Sequence, residues 1–252
     1  MTDKLAKAYI NLNGVLRALT YLCALDPVAS DIVKDADITV QFRVKNGPAA
    51  RLAFKGGTCA FESGKGKNDI SLYFSTPEKF NNMVDGKGNP SIRKGFTKLG
   101  FLLKDFMKLT KRMEYFLKPA PDTVQDDKFK EINTLLTFYT AFNAVAEIGM
   151  HDPVGKKVIS RAANGQLCVS IENTPHMVRV KVNKGYVKPI DASDGSPEMR
   201  LTFADVAKTD DILNGRSDFI TGIGSGDVKM SGYIPVMMAV EHLVPRLVLY
   251  LK

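Results

Sequence analysis

The chain has 252 residues, 44% hydrophobic and 25% charged, a composition that suits one large globular core or two of ~125 residues. Three widely spaced cysteines, Cys23, Cys59 and Cys168, with no Cys-x-x-Cys, argue against a disulfide framework or a Cys-rich zinc site and point to a reducing, cytoplasmic setting. The net charge of +8 lies in the first half: residues 1–122 hold 20 Lys or Arg against 12 Asp or Glu, and residues 123–252 hold 15 against 15.

The first predicted element is a helix over 5–25. Lys4 and Lys7 precede an apolar stretch broken by Asn11, Asn13 and Arg17, the pattern of an amphipathic helix and not of a signal peptide. No run approaches the ~20 apolar residues of a membrane span. Asp26-Pro27-Val28 ends the helix, because proline lacks the amide donor and restricts the residue before it. A short helix over 29–34 follows. Alternating apolar residues then predict strands over 38–44, 50–54 and 58–62, with Lys55-Gly56 at a hairpin turn. Gly64-Lys65-Gly66-Lys67 lacks P-loop spacing and reads as a solvated hairpin. A fourth strand over 70–74 leads to a helix over 77–84 stopped by Gly86. A last strand and an apolar helix end this half. Within it Arg93, Lys94, Lys98, Lys104, Lys108, Lys111 and Arg112 interleave with Phe96, Phe101, Phe106 and Met107. That stretch is a solvated helix face or a basic flank that meets an anionic membrane or another acidic partner.

The pattern then repeats. Residues 38–86 lie without a gap on 167–215 at a constant shift of 129, with eight of 49 pairs identical, among them Val40 with Val169, Lys55 with Lys184, Gly56 with Gly185 and Phe74 with Phe203. Asp152-Pro153-Val154 repeats the Asp-Pro-Val turn at a shift of 126. Copy two has predicted helices over 129–150 and 155–161 and strands over 166–171, 177–182, 185–190 and 199–203. A helix over 206–213 follows, and the closing helix spans 235–251. Two domains, residues 1–120 and 126–252, are expected, joined by a linker over about 118–127 where prolines and aspartates cluster.

Catalytic and cofactor signatures are missing. Gly222-x-Gly224-x-Gly226 precedes an alternating stretch, so it reads as a turn before a strand and not a phosphate cradle. His151, His176 and His242 have no ligand spacing, and no nucleophile elbow stands near them. No motif of a nucleic-acid reader is present. The expectation is a non-enzyme without cofactor, metal or nucleic-acid partner.

Segment 226–233, Gly226-Asp227-Val228-Lys229-Met230-Ser231-Gly232-Tyr233, leading into the closing helix, resembles the end of a sterol carrier protein 2 (SCP2) domain. Met199 to Phe203, with Asp210 to Gly215, resembles the strand and short helix before it. Ile92-Arg93-Lys94-Gly95-Phe96 is longer and more basic than that family's usual loop. The resemblance implies an α+β fold of two tandem SCP2-like domains, each a twisted, mainly antiparallel five-stranded sheet covered by helices with a hydrophobic tunnel. It implies a non-catalytic carrier of a fatty acid, acyl-CoA, phospholipid or sterol-like ligand. Candidate lining residues are Phe203, Met230, Met237, Met238 and Leu243 in copy two, and Phe74, Phe101, Phe106, Met107 and Met113 in copy one; unbranched Met and aromatic Phe adapt to varied apolar ligands. The alternative is an accessory or scaffold module that keeps the fold with filled cavities.

Overall fold

The computed structural model describes residues 2–190 and 194–251. Helix α1 (Lys4–Ile10) begins where the Asp3 carboxylate accepts the Ala6 amide at 2.8 Å. A π-helical turn, Asn11–Leu16, separates it from α2 (Ala18–Leu25), so the helix predicted over 5–25 is built of three segments. Buried Asn11 lies in that turn and donates to Asn81 Oδ1 at 3.0 Å, a contact with a residue 70 positions away that local periodicity does not register. Asp26, with extended backbone, caps α3 (Pro27–Ile32), whose first position is the proline.

Strands β1 (Asp37–Val44), β2 (Ala49–Lys55), β3 (Thr58–Ser63) and β4 (Ile70–Phe74) follow, then α4 (Pro77–Val84), β5 (Ser91–Lys94), α5 (Leu99–Phe101), a second π-helical turn Leu102–Phe106, and α6 (Met107–Leu117). The segment read as an unusually long basic loop is therefore edge strand β5 and the turn after it. The second half repeats this order with α7 (Asp127–His151), α8 (Pro153–Ile159), β6 (Gly165–Ile171), β7 (Met177–Asn183), β8 (Tyr186–Ile190), β9 (Met199–Phe203) and α9 (Val206–Leu213). Helix α10 (Phe219–Ser225), β10 (Val228–Gly232), α11 (Ile234–Glu241) and α12 (Val244–Leu251) complete it. The closing helix predicted over 235–251 is thus two helices. Gly222 and Gly224 belong to α10, and Gly226 is its left-handed cap at φ 83°, which corrects the reading of that run as a simple turn.

The chain divides into two compact units, Met1–Val124 and Gln125–Lys252. Each holds one five-stranded sheet, in the orders β3-β2-β1-β4-β5 and β8-β7-β6-β9-β10. All neighbours are antiparallel except β1 with β4 and β6 with β9, so the sheets are mixed. The parallel pair requires the chain to cross the sheet between β3 and β4, and Gly64 to Lys67 make that crossing instead of a hairpin. Buried Gln41 on β1 holds the crossing, its Nε2 donating to the Gly64 carbonyl at 3.1 Å and its Oε1 accepting the Gly66 amide at 3.1 Å. A Cβ on Gly66 would lie 1.9 Å from Arg51 Nη1, so a side chain there would displace the Arg51 guanidinium. Apolar residues alternate inward on the strands, as at Val40, Phe42, Leu52, Phe54, Leu72 and Phe74, and this face carries the helices.

The duplication is real at the level of elements, but its register is not gapless. Asn46 and Asn173 occupy the same left-handed hairpin position, φ 54° and 58°, 127 residues apart. The next residue pair to match is Gly57 with Gly185 at a shift of 128; both have positive φ, and their amides donate to the Val33 and Ile159 carbonyls at 3.2 and 3.0 Å. Only from β4 and β9 onward does the shift reach 129. Single-residue insertions in two turns account for the drift, and the identities of Val40 with Val169 and Gly56 with Gly185 are coincidences of the constant shift.

Candidate functional site

In each unit part of the closing helical segment lies over the apolar face of the sheet. In the first unit aromatic rings make the contact. Phe101 packs on Phe54 with centroids 5.2 Å apart, and Phe106 lies 6.1 Å from both Phe54 and Phe42. Leu102, Leu109, Met113 and Phe116 are buried beside them. Phe74 is also buried but pairs with Phe80 of α4, centroids 5.0 Å apart, away from the Phe101 cluster. Met107 is 48% exposed and faces outward, so it does not line the interior.

In the second unit α11 packs over β6 and β9, and α12 packs against α7. Phe203 and Leu243 are buried, Met230 and Met237 are half-buried, and Met238 is 45% exposed on the outer side of α11, which removes it from any interior lining. Val236, Ala239 and Val240 supply the inner face in its place. Ile234, Val244, Val248 and Leu249 are exposed on the same helices. The Ile234–Leu251 stretch is long and apolar enough to cross a membrane by length and composition, contrary to the sequence expectation. It is nonetheless interrupted at His242 and Leu243, and Arg246 within it is paired.

That pairing is the polar feature the two units share. Buried Asp26 accepts the Val28 and Ala29 amides at 3.4 and 3.2 Å and a two-pronged bond from Arg112 of α6, Nε to Oδ2 at 2.6 Å and Nη2 to Oδ1 at 3.2 Å. Buried Asp152 accepts the Val154 and Gly155 amides at 2.9 Å with one oxygen, and Arg246 Nη2 and the Tyr250 hydroxyl at 2.6 Å with the other. Each carboxylate thus caps the short helix after the Asp-Pro-Val turn and ties it to the closing helix. Burial pushes the Asp152 carboxyl up, but the bonds from Arg246, Tyr250 and the Gly155 amide outweigh it and hold the group below its ordinary value. The bond to Asp26 raises Arg112 above its ordinary value. The sequence showed the turns but not the partners, because Arg112 and Arg246 lie 86 and 94 residues from their aspartates.

The predicted basic flank is partly spent on internal contacts. Arg112 is held by Asp26, Lys98 bonds Asp69 at 2.6 Å, Lys94 donates to the Asn68 carbonyl, and Arg93 stacks 5.0 Å over the Tyr73 ring. Lys104, Lys108 and Lys111 point outward beside exposed Leu103 and Met107. A cleft of ≈ 270 Å³ opens beside Tyr73, Phe74, Lys79, Asn82 and Asn89; it shares only Phe74 with the predicted lining. Among the described residues no group of three His, Cys, Asp or Glu could hold a metal ion.

No protein-family model matches the chain, and no curated protein matches it. Among solved structures it is similar to a UbiJ-SCP2 ubiquinone synthesis protein, at 15% identity and a TM-score of 0.33 over 42% of this chain and 94% of that one. It is similar to sterol carrier protein domain 2 of Helicoverpa armigera at 15% identity and a TM-score of 0.32, over 44% of this chain and 87% of that one. A sec-alkyl sulfatase is similar over 58% of this chain and 28% of its own, at 12% identity and a TM-score of 0.28. The α+β class and the two units, each with a five-stranded sheet and helices, are as the sequence implied.

Proposed function

We propose that the chain is a non-catalytic, cytoplasmic lipid carrier in which the Gln125–Lys252 unit holds a fatty-acid, acyl-CoA, phospholipid or sterol-like ligand between its sheet and the α11–α12 pair. The observation that carries this reading is the apolarity of that pair on both sides: Val236, Ala239, Val240 and Leu243 face the sheet, and Ile234, Met238, Val244, Val248 and Leu249 face outward. A closing helix of an ordinary core needs only the inner set. A second apolar surface is useful where the helices part to admit a chain or rest on a bilayer. Each CH₂ taken from water would add ~0.8 kcal/mol of affinity. Outward Lys104, Lys108 and Lys111 of the first unit are suited to anionic headgroups. The test is native mass spectrometry of the purified protein with organic extraction, together with displacement of a fluorescent fatty acid. Bound lipid and displacement are expected; empty protein with no displacement overturns the reading.

For the first unit a second reading has its own support. Phe101 and Phe106 fill the space over Phe54 and Phe42, the arrangement of an accessory module with a packed interior. A fluorescent fatty acid whose quenching maps to the second unit alone would divide the roles in this way.

A further inference from the structure

Cys23 lies on α2 and Cys59 on β3, and α2 packs directly on β3. Both side chains are buried, at 5% and 9% exposure, and each thiol perturbs the proton affinity of the other. The second unit offers an independent view of how close this crossing is. The Asp26-to-Asp152 shift carries Cys23 to Gly149 on α7, and the Gly57-to-Gly185 shift carries Cys59 to Val187 on β8. A Cβ on Gly149 would stand only 2.4 Å from Val187 Cγ1. Helix and strand meet tightly there, and the first unit carries a cysteine at each of the two corresponding positions. We propose that Cys23 and Cys59 are a peroxide-responsive dithiol, a modification site of the first unit that closes reversibly to a disulfide between α2 and β3.

The neighbouring Cys59 thiol lowers Cys23 more than burial and the Asp26 charge raise it, and Cys23, with burial, pushes the Cys59 thiol up. In the proposed sequence Cys23 is the sulfur that gives up its proton and attacks. Its thiolate forms a bond to one peroxide oxygen as the O–O bond breaks, and the departing hydroxide takes a proton to become water, leaving a sulfenic acid on Cys23. The Cys59 sulfur then attacks the Cys23 sulfur; the S–S bond forms, the S–O bond breaks, and the released hydroxide combines with the Cys59 proton. Two thiols are oxidised and one peroxide is reduced to two waters. Cys168, the third cysteine, is buried in the other unit, and burial raises its thiol, so it is the internal control.

The experiment uses the full chain, reduced, treated with hydrogen peroxide, then denatured in an alkylating agent and weighed intact. The expected product is lighter by about 2 Da before alkylation, for the two hydrogens removed. It accepts one alkyl group where the reduced protein accepts three, and dithiothreitol restores the other two. Peptide mapping should join the Cys23 and Cys59 peptides, and Cys168→Ser should still form the bond. In Cys59→Ser, dimedone should label Cys23. Three alkyl groups after peroxide, a bond involving Cys168, or a link between chains overturns the proposal. The wild-type and Cys168→Ser measurements decide it even where substitution within the pair prevents folding.

Discussion

Asp152 performs two structural tasks with one carboxylate, capping α8 and anchoring α12 through Arg246 and Tyr250. Removing it leaves a guanidinium largely shielded from water and two amides without an acceptor, so Asp152→Ala should cost about 3–5 kcal/mol, read from chemical denaturation of the second unit. The acid limb of stability follows from the same group. Its folded-state pKa lies below the unfolded value, so its contribution is complete above the ordinary aspartate pKa of about 4 and is lost as pH falls through the lowered folded value. Denaturation midpoints measured from neutral pH downward should show this loss in the wild type and a flatter limb in Asp152→Asn. Gly149 gives a steric prediction at the same scale. Gly149→Ala meets Val187 at 2.4 Å and should cost about 1–3 kcal/mol, with partial recovery when Val187→Ala is added.

Among the elements, the two closing segments diverge most. In the first unit the π-helical turn Leu102–Phe106 presents Phe106 to Phe54 and Phe42, and Phe106→Ala should open a cavity costing about 3–5 kcal/mol in a thermal or chemical melt. The outer side of the same segment and α6 carries Lys104, Lys108 and Lys111. Their joint replacement by glutamate should abolish sedimentation with vesicles rich in phosphatidylserine while leaving the melt within about 0.5 kcal/mol, since exposed charges away from special contacts contribute little to folding. Helix extents were largely legible beforehand. The helices over 77–84 and 206–213 match their predicted bounds because Thr76 and Asp205 cap one end and Gly86 and Gly215 follow the other. The break in the closing helix at His242 had a local signal that the single predicted helix ignores: Pro245, at the second position of α12, lacks the amide donor that a continuous helix needs there.

For the whole molecule, duplication and α+β class were present in the sequence, since period-2 strands, 3.6-period helices and the repeated Asp-Pro-Val turn are local patterns that each half carries in the same order. Local patterns do not carry pairings between distant segments. Only the tertiary structure decided that the register drifts by one residue at two turns, because a constant-shift match cannot see an insertion that hydrogen bonding absorbs. It also decided that Met107 and Met238 face outward while Val236 and Val240 face the sheet, since a helix apolar on both sides names no inner face until something packs against it. The same holds for Arg112 with Asp26, Arg246 with Asp152, and Cys23 with Cys59. Each pair is ordinary in its own stretch of chain and acquires meaning only when folding brings a helix to a remote turn or strand, removes the water between them, and leaves charge or sulfur to find its partner there.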